Sequence, residues 1–109
     1  MAVTQREADL DIAEATAADA KRAVDAELQL RLAALDAAKA RIQITRTSVA
    51  AATEDLRVQQ ERYRLGASTI VDILTSQEAL NQAEVDVVNA RFDYLRARAQ
   101  LEALIGRKL

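Results

Sequence analysis

Apolar residues recur every seventh position through most of this chain. Leu28, Leu35, Ile42, Val49, Leu56 and Tyr63 form one such stripe, and Ile73, Leu80, Val87, Tyr94 and Leu101 form another. Three residues after each member of the second stripe come Ser76, Ala83, Ala90, Ala97 and Leu104. A seven-residue repeat predicts helices supercoiling left-handedly against a neighbour, and small side chains in the seam predict close axes. Between the stripes lies Tyr63-Arg64-Leu65-Gly66-Ala67-Ser68-Thr69-Ile70-Val71-Asp72, the one interruption in an otherwise helical pattern. A helix that breaks once, at a glycine followed by a fresh capping signal, must turn back on itself.

The pattern therefore predicts an all-α protein: a long antiparallel helical hairpin, a coiled coil whose first arm is longer than its second. The first arm covers about 4–64, the turn 65–69 and the second arm about 70–106. At 1.5 Å per residue the arms would measure ~90 and ~55 Å. Folding the chain about Ala67 places Leu104 roughly opposite Leu30, so residues before about Leu28 lack a partner within the chain. Val3, Leu10, Ala17 and Val24 also repeat by seven there, but Val24 to Leu28 is a step of four. That step reads as a stutter that swings the seam around the helix. An unpartnered stripe on a thin hairpin predicts oligomerisation.

The turn residues carry their own logic. Gly66 falls where a helix C-terminus takes a left-handed residue. Thr69 fits as N-cap, and Asp72 three residues later completes a capping box and faces the positive helix end. Arg62 and Arg64 suit the negative end of the preceding helix.

Composition narrows the possible chemistry. The 109 residues are 50% hydrophobic but only 3% aromatic, and proline is absent. About a fifth are alanine, the best helix former. Such a chain lacks the material for a thick enzyme core. With 15 basic and 17 acidic residues interspersed, the net charge is −2. There is no basic stripe for nucleic acid and no polybasic patch for an anionic membrane. Histidine and cysteine are absent, which removes the usual zinc ligands, disulfides and thiol nucleophiles. The carboxylates are spread around the helices. Glu54 to Val58 and Glu61 to Leu65 make no i,i+4 ion pair, and Asp93 with Arg96 reads as an ordinary solvated pair. No catalytic constellation, cofactor site or metal site emerges, so no enzyme is expected. No apolar run reaches membrane-helix or signal-peptide length, and direct membrane insertion by this chain is not expected.

Several segments together resemble the TolC-like outer-membrane efflux family. They are Glu61 to Leu74, then Leu80-Asn81-Gln82-Ala83-Glu84, Ala90-Arg91-Phe92-Asp93-Tyr94-Leu95 and Leu101-Glu102-Ala103-Leu104-Ile105-Gly106. The resemblance extends upstream through Ala23 to Ile42 and covers nearly the whole chain. It implies one periplasmic hairpin of a trimeric channel for efflux or type I secretion, so that 1–109 would be a piece of a larger channel protein. It also implies a periplasmic adaptor protein and an inner-membrane pump as partners, and residence in the periplasmic portion of a cell outer-membrane protein. Arg64, Leu65, Gly66, Ala67, Ser68 and Thr69 match the tip that meets the adaptor, and Asp72 matches an acidic position at the channel entrance. The chain departs from the best-known member at Ser68, basic there, and Thr75, acidic there. The alternatives are the coiled-coil hairpin of a periplasmic adaptor (membrane fusion) protein and a generic structural coiled coil.

Overall fold

The computed structural model describes residues 2–107 and consists of two helices, α1 (Ala2–Arg64, 63 residues) and α2 (Ile70–Ile105, 36 residues). Alanine-rich sequence without proline lets α1 run unbroken until Gly66 ends it. The molecule measures 95 × 23 × 14 Å. Its length is that of α1 alone, since 63 residues at the helical rise span roughly 95 Å.

The two helices pack antiparallel along a heptad seam. In α2 both expected rows turn inward: Ser76, Ala83, Val87, Ala90 and Leu101 are buried, and Ile73, Leu80, Tyr94, Ala97 and Leu104 are half-buried. In α1 the row Leu28, Leu35, Ile42, Val49 and Leu56 faces the same seam. Its last member departs from expectation. Tyr63 is 49% exposed, because the chain turns away beyond it and α2 offers nothing at that level to cover the ring.

A further row in α1 also faces the seam: Arg31, Ala38, Thr45, Ala52 and Gln59, three residues after the apolar ones. This alters the reading of the step at Val24. The row Val3, Leu10, Ala17, Val24 runs on at the same spacing into Arg31 and is not itself broken. What changes near Leu28 is its companion. The Leu28 row continues upstream as Lys21, Glu14 and Glu7, all charged, while Ala13 and Ala20 flank the common row on its other side. The apolar surface thus shifts sideways about an unbroken line.

Register comes from three side-chain bonds across the hairpin. Ser76 Oγ donates to Asp55 Oδ2 at 2.6 Å, Arg31 Nη1 to Gln100 Oε1 at 2.9 Å, and Arg41 Nη1 to Asp93 Oδ2 at 2.7 Å. Asp93, read from sequence as a solvated neighbour of Arg96, thus belongs to the interhelical contact, with Arg96 further away at 3.7 Å. This register sets Leu35 level with Ala97, Ala38 with Tyr94, Ile42 with Ala90 and Val49 with Ala83. Large faces small at each of these four levels, which is how the axes stay close. Leu104 meets Leu28 rather than Leu30, which is 61% exposed. Every residue from Ala2 to Ala26 is exposed, so this opening stretch of α1 is a single helix with no partner among the described residues.

Candidate functional site at the hairpin tip

The tip is built by two capping devices joined by a short link. At the end of α1, Gly66 adopts φ 78°, and its N–H donates to the Tyr63 carbonyl at 3.0 Å. The Ala67 N–H reaches back to the Arg62 carbonyl at 2.7 Å, completing a Schellman motif. The Arg62 side chain returns to the same link, its Nη2 donating to the Ala67 carbonyl at 3.2 Å. A Cβ on Gly66 would meet nothing within 4 Å, so the demand for glycine comes from backbone conformation alone.

At the start of α2, Thr69 is the N-cap with φ −106° and ψ 164°. Its Oγ1 accepts from the Asp72 N–H at 3.3 Å, and its own N–H donates to Asp72 Oδ2 at 3.0 Å. That is the reciprocal capping box expected from the spacing. Asp72 Oδ2 also receives the Thr69 hydroxyl and the Ser68 hydroxyl, each at 3.1 Å. Ser68 lies 2.9 Å from Gln59 Oε1 as well, and its single proton serves one acceptor at a time. The Thr69 N–H foremost, then the two hydroxyls, hold the Asp72 carboxyl below its usual range. Ser68 thus bonds the link either to α1 through Gln59 or to α2 through Asp72, while Arg62 and Thr69 hold the link at its two ends.

The structure gathers all the sequence-predicted tip residues at this apex. Arg64, Leu65, Gly66, Ala67 and Thr69 are exposed and Ser68 is half-buried. Arg64 pairs with Glu61 one turn back, an i,i+3 contact that raises the arginine pKa and lowers that of the glutamate. Glu54 pairs with Arg57 in the same way. Both pairs escaped the sequence reading because for these two glutamates it tested only the partner four residues on. Leu65 is 69% exposed at the outermost bend, and Ile70, Val71 and Leu74 continue an apolar apron on α2 beside it. Gln59 and Arg62 were also missed as tip residues. Their signal was the Schellman geometry that Gly66 imposes, which brings the last turn of α1 back to the link.

Among the described residues no group of three or more His, Cys, Asp or Glu converges to hold a metal. The hollows on the surface are open grooves along the helices, such as that between Ala34, Ala38, Arg41, Asp93 and Ala97. No helix of the described residues is long and apolar enough to cross a membrane.

A protein-family model described as outer membrane efflux protein matches residues 1–107. No curated protein and no solved structure shows a significant match to the chain.

Proposed function

Since the chain belongs to the outer membrane efflux protein family, we propose that it is a periplasmic, tunnel-forming hairpin of a TolC-like channel serving efflux or type I secretion. In this reading residues 1–109 are one hairpin of a larger channel protein that assembles as a homo-oligomer, a trimer as the resemblance implies. Its partners are a periplasmic adaptor protein and an inner-membrane pump. The family is one of channels and transport, and a tip that presents exposed apolar residues on a doubly capped turn fits that setting. The unpartnered length of α1 supports a parent in which further helices cover it. So does the thin seam, since no large side chain is fully buried among the described residues.

The observation that carries tip docking is Leu65. A leucine 69% exposed at the apex of a doubly capped turn does nothing for the hairpin's own packing. Pre-organised apolar anchors are what a small docking surface uses, because little ordering entropy is left to lose. Arg64, Gly66, Ala67, Ser68 and Thr69 frame that anchor. Asp72 stands one turn inside, and its repetition around a symmetric channel makes an acidic ring that favours cations at the entrance. The same carboxylate caps α2, so both roles fall on one residue. Family membership favours this reading over an adaptor-protein hairpin or a generic coiled coil.

The test is binding of the cognate adaptor hairpin to the wild-type chain, to Leu65→Asp and to Gly66→Val, with helicity followed by circular dichroism. Leu65→Asp is expected to weaken binding at least about tenfold at unchanged helicity. Unaltered affinity in both variants would overturn docking through the tip.

A further inference from the structure

Two arginines on opposite helices border one hollow beside the seam. Arg46 stands on α1, one position after the buried Thr45, and Arg91 stands on α2, one position after the fully buried Ala90. With Val49, Glu84, Val87 and Val88 they line an open hollow of about 280 Å³ that spans both helices. A second hollow, of about 250 Å³, adjoins it through Val88 and Arg91 and runs on to Phe92 and Leu95. The floor is thus apolar and extends along α2.

These two guanidinium groups stand apart from the rest of the hairpin. Among the described residues, every other arginine from Arg31 to Arg98 has a carboxylate within ion-pair distance or, for Arg62, a backbone carbonyl. Arg46 and Arg91 have neither. The nearby carboxylates are engaged elsewhere. Asp86, level with Arg46, accepts from Gln82 at 3.0 Å, and Asp93 takes Arg41 and Arg96. Glu84 shares the hollow but pairs with neither arginine. The register that sets Val49 level with Ala83 separates Arg46 from Arg91 by roughly 7.5 Å along the axis. Two long stems can lean across that distance over apolar surface and bring both planar forks to one oxyanion. Small-ligand sites combine apolar walls with a few convergent polar groups.

We propose that this hollow binds a small amphiphilic anion. Its carboxylate, sulfonate or sulfate sits between Arg46 and Arg91, and its apolar body lies on Val49, Val87 and Val88 and reaches toward Phe92. Glu84 opposes the anion and limits its affinity. The site flanks the seam far from the tip, goes beyond the channel reading and does not rest on it.

The probes are anilinonaphthalene sulfonate, whose fluorescence rises in apolar surroundings, and phenylnaphthylamine, the same rings without the sulfonate. Each is titrated into the whole chain and its variants, with helicity followed by circular dichroism. The Arg46→Gln, Arg91→Gln double variant is expected to bind the sulfonate at least about tenfold more weakly, the scale of a lost contact to a charged group, and to keep its affinity for the uncharged probe. Val88→Ser is expected to weaken both probes, and Glu84→Gln to tighten the sulfonate alone. Arg57→Gln removes a charge away from the hollow and is expected to change neither. Unchanged sulfonate affinity in the double variant, an equal loss of the uncharged probe there, or an equal loss with Arg57→Gln would each overturn the site. Leu65→Asp tests docking alone, so the two readings fail separately.

Discussion

The hydroxyl of Ser76 donates to the carboxylate of Asp55 at 2.6 Å from a site only 5% exposed, joining α2 to α1. Ser76 stands level with Leu56, so a small polar residue both accommodates the leucine and locks the register. Ser76→Ala is expected to cost about 1 kcal/mol, the worth of one hydrogen bond. Ser76→Leu is expected to cost about 1–3 kcal/mol, since it crowds Leu56. Urea melts followed by circular dichroism would separate the two.

Ala90 is fully buried opposite Ile42. Enlarging it to leucine forces the axes apart, and a loss of about 1–3 kcal/mol is expected. The exposed Ala99, one heptad and two positions on, should accept the same change with little effect in the isolated hairpin.

Charge contributes less. Arg41 and Asp93 form the interhelical ion pair, but their side chains remain 55% and 37% exposed. A double-mutant cycle on Arg41→Ala and Asp93→Ala is expected to give a coupling of about 0.2–1 kcal/mol that shrinks in high salt.

Gly66→Ala is expected to cost about 1 kcal/mol through its left-handed backbone, with Gly66→Asn costing less. Thr69→Ala is expected to cost about 1 kcal/mol through loss of the cap. Thermal melts would read both.

Acid should loosen the tip. Asp72 is held below its ordinary pKa by the Thr69 N–H and the neighbouring hydroxyls, and Glu54 and Glu61 are lowered by Arg57 and Arg64. Below the usual carboxylate range the unfolded chain binds more protons than the folded one. The stability these groups contribute is therefore present at neutral pH and drains away as pH falls through their lowered values. Asp72→Asn is expected to flatten part of that acid dependence while also weakening the cap. An acid slope identical to that of the wild type would contradict the assignment.

Much of this fold was legible from spacing alone. Gly66, Thr69 and Asp72 announced the bend, and both rows of α2 announced the seam, because each signal is local and chemically marked. The second row of α1 was not legible as apolar. Arg31, Thr45 and Gln59 are polar, yet they enter the seam by satisfying their polar atoms nearby. Thr45 turns its hydroxyl to the Arg41 and Ile42 carbonyls, each at 2.9 Å, and so presents little unsatisfied polarity although it is buried. Arg31 carries its charge out to Glu27 and Gln100. Hydropathy scores the side-chain head, whereas burial follows the stem. The rule of three-residue companions, applied to α1 as it was to α2, would have found this row. At the tip, the backbone bends were legible but the return of Arg62 and Gln59 was not, since that depends on the three-dimensional path of the link.

The bare opening stretch of α1 makes the molecule directional. One extremity is sealed by two interlocking caps and the other is a lone rod whose backbone amides only its own turns protect, so deuterium should enter from the rod and advance toward the seal. Melting would peel in the same sense, and whatever greets the sealed extremity would find it shaped long after the opposite end had begun to fray.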